Sequence, residues 1–427
     1  MEPSVGIRDG DIVIKNTDAR LKAKPMSRIL LAWEMGSNLG HISRLLPIGR
    51  RLRERGHSVL AVVRDLESAA RILAPAGIPF IQAPRMSSVP AVSAQPASYA
   101  DILRYSGWGD VQQLWAMTQA WVNVLRLYAP NVFIVDHSPT ALLAARCECM
   151  PSVVIGTGFE LPPMREPLPC FPGFAGATLA NAMEAERTVL ENANGVVHAA
   201  RGRSLRALSE LFQCERRWLT TFAELDHYEA RPGERYVGPI GEVGEGEFLD
   251  WPAEAAQRIF AYLRPDTPHV EIILRALARC EAAVVCYAPG VPPSHTAGLA
   301  GKKFVLAQRP VDLSILGRDG SLCVSYAPAA TVTSALLHGV PQLMAPSHVE
   351  AQLTAHRVES MGAGLTLRGS LTEGQITHAL EKLLGNAAFK TPAARLAERY
   401  RDFDPGRAAD DIVEDLETLL RQPKRGT

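Results

Sequence analysis

The sequence predicts an α/β protein made of two doubly wound parallel sheets in tandem. Three observations predict it. Short apolar runs of strand length alternate with stripes of helical period. The alternation breaks once, in a stretch rich in Gly, Pro and acids (227–252), and then restarts. A chain of 427 residues, 47% hydrophobic, is long for one core and natural for two.

The elements follow in order. Residues 1–25 lack an apolar period and read as a flexible N-terminal arm. The first domain, 26–230, opens with "RILLAW" (28–33), a strand by length. His41 to Arg55 carries Ile42, Leu45, Leu46, Ile48 and Leu52 on one helical stripe, with Pro47 inside and Gly56 as its stop. Strands are expected at 58–63, 79–83, 132–136 and 152–156, with helices near 66–74, within 108–128, at "PTALLAAR" and over 176–193. "GVVHA" (195–199) reads as one more strand. An interdomain linker covers 231–252. The second domain, 253–404, repeats the pattern, with strands at 257–263, 282–287, 302–308, 321–326, at "QLMAP" and at "GLTLRG". Helices are expected at 269–279, "TVTSALLHG" and "EAQLTAHRVESMG". Residues 405–427 form a C-terminal helix with the option of packing back on the first domain.

Composition narrows the function. Lys+Arg and Asp+Glu both number 45, so net charge gives no support for nucleic acid or an anionic membrane as the main partner. The apolar run at 28–33 is too short to span a bilayer, and the polar residues before it do not read as a secretory signal. The seven cysteines lack zinc spacing, as in a cytoplasmic protein with scattered thiols. No acidic metal cluster is visible.

In an open doubly wound sheet, ligands bind beyond the carboxyl ends of strands where the strand order reverses. With the order 3-2-1-4-5, that rule joins Glu34–His41, after strand one, to Asp136-His137, after strand four. In the second domain it joins Arg264 to Tyr326–Thr331. His41 is then either a helix-start residue or a general base. Asp136 is either a cap for the helix that follows or the carboxylate that orients His41. His137 is a rival partner or a second base, but as the next residue it should point elsewhere. Gly40 and Arg44 flank His41, Arg44 either facing the cleft or pairing at the surface.

At this point a family resemblance appears. "GHISRLLPIGRRLRERGHSV", "VFIVDHSPTALLAAR" with "SVVIGTGFELPP", and "YAPAATVTSALLHGVPQLMAPSHVEAQLTAHRVESMGAG" resemble nucleotide-sugar glycosyltransferases of the GT-B fold. The nearest group is the UDP-glycosyltransferase and macrolide glycosyltransferase group. The resemblance implies two Rossmann-like domains facing a central cleft, with a UDP- or dTDP-linked sugar as co-substrate, no further cofactor and no metal. It places His41 on the catalytic base and Asp136 on the acid that orients it. Thr331 falls on the Thr opening the donor-side helix, and Glu350 and Gln352 near the acid–Gln pair that holds sugar hydroxyls. Arg309 to Val311 fall where backbone meets the nucleobase. The chain departs from the pattern on the donor side. Tyr326 stands for the usual phosphate-binding His. Ala327, Pro328 and Ala330 replace glycines, and Ala351 separates Glu350 from Gln352. Arg264 offers a replacement cation.

The expected activity is inverting, metal-independent sugar transfer to a small-molecule acceptor, of apolar or aromatic character. Acceptor contacts are expected from loops 84–128 and 157–180, the first serving as a lid. The altered donor block keeps a second reading open, a non-catalytic GT-B binding or partner-activating protein. An epimerase and a lipid-linked acceptor are further alternatives, and a homodimer is left open.

Overall fold

The computed structural model describes residues 6–8, 11–13, 27–36, 39–86, 95–174, 177–241, 246–252 and 255–422. Within the expected arm, β1 (Gly6–Arg8) and β2 (Asp11–Val13) pair antiparallel, and the rest of 1–26 lies outside the described residues.

The first domain runs β3 (Arg28–Trp33), α1 (Gly40–Glu54), β4 (Ser58–Val63), α2 (Leu66–Ile72), β5 (Phe80–Gln82), α3 (Tyr99–Leu103) and α4 (Val111–Tyr128). It continues with β6 (Val132–Asp136), α5 (Pro139–Cys147), β7 (Ser152–Gly156), α6 (Leu179–Ala199), β8 (Arg216–Leu219) and β9 (Arg235–Tyr236). These strands form one parallel sheet in the order β5-β4-β3-β6-β7-β8-β9. Both faces are covered, so the central strands are apolar throughout. Along β3, Ile29, Leu31 and Trp33 pack toward α1, while Leu30 and Ala32 pack toward the α3–α6 layer.

Two expectations fail here. "GVVHA" is not a strand but the last turn of α6. Val189, Ala193, Val196 and Val197 fall at helical spacing on one buried face, and this stripe outweighs the local β-branched run. The strand that takes its place is β8, "RRWL", whose two arginines hide it; Trp218 and Leu219 are its buried half. β9 lies in the stretch read as linker and forms the edge of the first sheet.

The second domain runs β10 (Arg258–Tyr262), α7 (Val270–Arg279), β11 (Ala283–Tyr287), α8 (Pro293–Thr296), β12 (Phe304–Ala307), β13 (Leu322–Ser325) and α9 (Ala329–Leu337). Then come β14 (Gln342–Met344), α10 (Val349–Ser360), β15 (Gly364–Thr366), α11 (Glu373–Gly385) and α12 (Ala387–Arg399). Its parallel sheet has the order β12-β11-β10-β13-β14-β15, so both sheets reverse beside their first strand.

The chain then returns to the first domain. Asp404 caps α13 (Pro405–Arg421), with Pro405 at the position where its missing N–H costs nothing. Ala408, Ala409, Ile412, Val413 and Leu416 form a stripe that joins Ile42, Leu45, Ile48 and Leu52 of α1 in one core. Around it, Arg51 pairs with Asp410, Arg55 with Glu417, and Arg216 with Asp415. No helix among the described residues is long and apolar enough to cross a membrane.

Ile412 has no exposed surface between α13 and α1. Ile412→Ala is expected to destabilise the protein by about 2–5 kcal/mol, the cost of a large-to-small change in a closed core. A urea midpoint indistinguishable from wild type would show that α13 does not contribute to this core.

Candidate active site

The site begins with register. β3 and β6 are neighbours with Ala32 level with Val135, so the chain leaves both strands side by side at one edge. Asp136 ends β6 with no exposed surface. α1 starts above it, and His41 in its first turn stacks on Trp33 at 5.4 Å. His41 Nδ1 stands 2.8 Å from Asp136 Oδ1.

One turn later, Arg44 grips the same carboxylate. Its Nε donates to Asp136 Oδ2 at 2.9 Å and its Nη2 to Oδ1 at 2.7 Å. Nη2 also donates to Glu160 Oε1 at 2.6 Å. Nη2 lies 2.8 Å from His41 Nδ1 as well. A guanidinium Nη has two hydrogens, and both are engaged by carboxylates. The assignment that satisfies every partner puts a proton on His41 Nδ1, donated to Asp136, and leaves Nε2 as the basic nitrogen. Burial alone would weaken the Arg44 cation, but Asp136 and Glu160 hold it fully charged. Burial would push the Glu160 carboxyl up, yet Arg44 holds it well below the usual carboxylate range. His41, Asp136 and Glu160 bring metal-ligating atoms within 4.8 Å of one another, but the cation their carboxylates hold is Arg44.

His137 does not point elsewhere. Its backbone adopts φ 47°, which breaks the alternation of the strand before it and turns the ring back. The ring lies 5.3 Å from that of His41, and the His137 carbonyl accepts the Met35 N–H at 3.0 Å. Burial pushes its pKa down to about 3. Of the nearby glycines, Gly36 and not Gly40 is sterically required. A Cβ on Gly36 (φ +80°) would stand 2.4 Å from His41 Nε2, whereas one on exposed Gly40 meets nothing within 4 Å.

A cavity of about 500 Å³ opens beside these residues. Met35, Gly36, Met86, Met117, His137 and Phe159 line it from the first domain, with His348, Val349 and Glu350 opposite. Both segments expected to contact an acceptor contribute, while 87–94, the heart of the expected lid, lies outside the described residues. Glu34 also lines the cavity. Its carboxyl accepts hydrogen bonds from Trp121 Nε1 and the Thr140 N–H, and burial pushes its pKa up to about 7.

The domains meet at α10. Thr157 Oγ1 donates to Glu160 Oε2 at 2.8 Å and lies 3.4 Å from Glu350 Oε1. Burial, then the charge of Glu160, pushes the Glu350 carboxyl up. His227 Nε2 meets Thr354 Oγ1 at 2.9 Å. Gln352, two residues past Glu350 on the helix, is turned about 200° from it, so the two do not share a side.

At the switch point of the second sheet, Arg264 pairs with Asp266 at 3.4 Å, and its guanidinium lies 5.8 Å from the centre of the buried Tyr326 ring. Tyr262 packs edge-on to Tyr326 at 5.2 Å. Ala327 adopts φ 63°, the backbone that glycine favours, so the turn survives without glycine at some cost. Helix α9 begins at Ala329, two residues before the expected start, which places Thr331 third in the helix and buried. Arg309 is exposed. Val311 is buried and bridged to Glu247, which also occupies the Pro310 carbonyl and the Asp312 N–H.

Glu34 and Gly36 lie in the segment Glu34–His41 expected at the crevice, but neither had a role of its own there, and Glu160 had none. Glu34 follows strand one directly, which was the available signal. Glu160 sits in a loop, and nothing in its spacing reveals it.

Comparison with known proteins now bears on this geometry. Residues 276–419 match the family profile described as erythromycin biosynthesis protein CIII-like, C-terminal domain. A PGL/p-HBAD biosynthesis glycosyltransferase of Mycobacterium tuberculosis is 30% identical over 133 residues, 31% of this chain and 30% of that one. The 4'-demethylrebeccamycin synthase of Lentzea aerocolonigenes is 37% identical over 86 residues, 20% of each chain. The chain thus spans under a third of the length of these curated relatives. The calicheamicin glycosyltransferase CalG4 superposes over 94% of this chain and 100% of its own, with TM-score 0.68 and 21% identity. The glycosyltransferase VinC in complex with dTDP covers 90% of this chain and 100% of its own, with TM-score 0.64 and 16% identity. The fold is GT-B, and the resemblance to the macrolide and UDP-glycosyltransferase group holds.

The buried histidines make the fold acid-sensitive. Burial depresses His227 to about 4 and His137 to about 3, below an unfolded value near 6.5. Above that value both states are neutral. Below it the unfolded chain takes up protons that the folded state refuses, so stability falls as pH falls through 6.5 toward 4. Each group contributes a slope of about 1.4 kcal/mol per pH unit. His227→Asn is expected to remove one such contribution, measured as urea unfolding free energy between pH 7 and 4.5. Parallel curves for the two proteins would contradict it.

Proposed function

We propose that this protein is an inverting glycosyltransferase that moves a sugar from a nucleoside-diphosphate donor to a hydroxyl of a small apolar acceptor. The observation that carries this reading is the His41–Asp136 hydrogen bond at the switch point of the first sheet, with Nε2 left basic. Asp136 fixes the tautomer and stabilises the imidazolium that forms. His41 Nε2 takes the acceptor's proton. The freed oxygen attacks the anomeric carbon, and the bond from that carbon to the diphosphate oxygen breaks with its electron pair. Attack from the face opposite the leaving group inverts the centre.

The leaving charge is met by the N-terminus of α9 and by Arg264, with no metal in the scheme. The dTDP complex among the structural neighbours supports a nucleotide-linked donor, UDP- or dTDP-based. The Met- and Phe-lined cavity supports an apolar acceptor body.

A second reading has its own observation. Pro328 offers no N–H to a phosphate, and Ala327 holds the turn where glycine would let backbone approach closer. That change favours a non-catalytic binding or partner-activating protein. Calorimetric titration with UDP- and dTDP-sugars separates the two: binding followed by turnover sinks the inert reading, and silence across the panel favours it.

His41→Ala is expected to lower transfer by about 10²–10⁴-fold, the usual size of a lost general base. Asp136→Asn should lower it as well, with donor binding kept in both. Full transfer activity in both variants would remove the dyad from the mechanism.

A further inference from the structure

His137 is idle in the scheme above, yet it carries two structural costs. It is 6% exposed, and neither ring nitrogen has a hydrogen-bond partner among the described residues. Its backbone sits in the left-handed region that non-glycine residues avoid. A residue that concentrates such costs in a cavity wall is a candidate for chemistry.

Its geometry specifies which chemistry. A Cβ placed on Gly36 would lie 2.4 Å from His41 Nε2 and 3.1 Å from His137 Nδ1. The basic nitrogen of one ring and a nitrogen of the other therefore lie close to the same point beside Gly36. Gly36 and His137 both line the cavity there. With the ring centres 5.3 Å apart, one oxygen can reach both nitrogens at hydrogen-bond distance.

We propose that His137 is a second catalytic imidazole, which donates a hydrogen bond from Nδ1 to the same acceptor oxygen that His41 Nε2 deprotonates. This rests on the transfer reading above. The acceptor O–H bond breaks and its proton goes to His41. The oxygen bonds to the anomeric carbon, and the electron pair of the old bond leaves with the diphosphate. His137 neither gains nor loses a proton. Its hydrogen bond strengthens as negative charge grows on the oxygen, which is the condition for catalysis rather than binding alone. Burial, and then the neighbouring His41, keep it from charging, so it does not compete as a base. The acceptors that gain most are weakly acidic alcohols, whose oxygen carries the most charge in the transition state.

The test has two arms, each with wild type, His137→Leu and His137→Asn, whose amide N–H can stand near the Nδ1 position. In the first, transfer is measured to 4-nitrophenol and to 4-nitrobenzyl alcohol. His137→Leu is expected to lower kcat about 10²-fold for the alcohol but under about tenfold for the phenol, in line with a lost oxyanion donor, and His137→Asn to restore most of it. Equal losses for both acceptors, or an Asn variant no better than Leu, would overturn the proposal.

The second arm needs no sugar. Binding of 4-nitrophenol to the free protein at pH 6 is followed by phenolate absorbance. Wild type and His137→Asn should raise the phenolate fraction, and His137→Leu should not. Identical spectra for wild type and His137→Leu, or a wild type that leaves the spectrum unchanged, would also overturn it. Should no nucleotide sugar be turned over, the transfer reading fails while this arm still decides the role of His137.

Discussion

The Arg44 guanidinium lies between Asp136 and Glu160, where little water reaches any of the three. Two buried carboxylates without that cation would repel each other and take up a proton, and a lone buried cation would be no better. The triad is therefore stable only as a whole, and the rest of the cleft takes its state from it. Asp136 stays in place to receive the His41 Nδ1 proton. Burial, and then the charge of Glu160 across Thr157, push the Glu350 carboxyl of the other domain up. One guanidinium so holds in place the carboxylate that orients the imidazole.

The two halves of the cleft are built differently. The first-domain side is a dense polar cluster in which His41, Arg44, Asp136 and Glu160 are bonded to one another. The second-domain side is a set of packed rings, Tyr287 stacked on Tyr262 and Tyr326 edge-on to it, with Arg264 beside them. Where a flexible glycine turn would wrap an anion with backbone, this chain sets an alanine in the glycine conformation and an aromatic wall.

Much of this was legible in the sequence. Strands buried on both faces announce themselves as apolar runs, and the reversal of strand order brings Glu34–His41 and Asp136 together without any coordinates. What was not legible has physical reasons. β8 carries its apolar residues only at Trp218 and Leu219, so it looked like coil, while α6 ended in valines that mimic a strand. The ring of His137 follows from a single dihedral angle that residue identity does not dictate. Glu160 is a partner fixed by tertiary contact alone, and no spacing rule reaches from Arg44 to a loop beyond β7. The tight place at Gly36 was equally invisible, since Gly40 next to His41 looked the better candidate.

The return of α13 to the first domain has a consequence for how the chain is made. The face of α1 that carries Ile42, Leu45 and Ile48 is complete only when Ile412 and Leu416 arrive. On a ribosome those residues follow the whole second domain. Until they emerge, the first domain carries an apolar flank uncovered on α1, the helix that bears His41. Completion of that flank is thus tied to the arrival of α13 and not to the first domain's own residues.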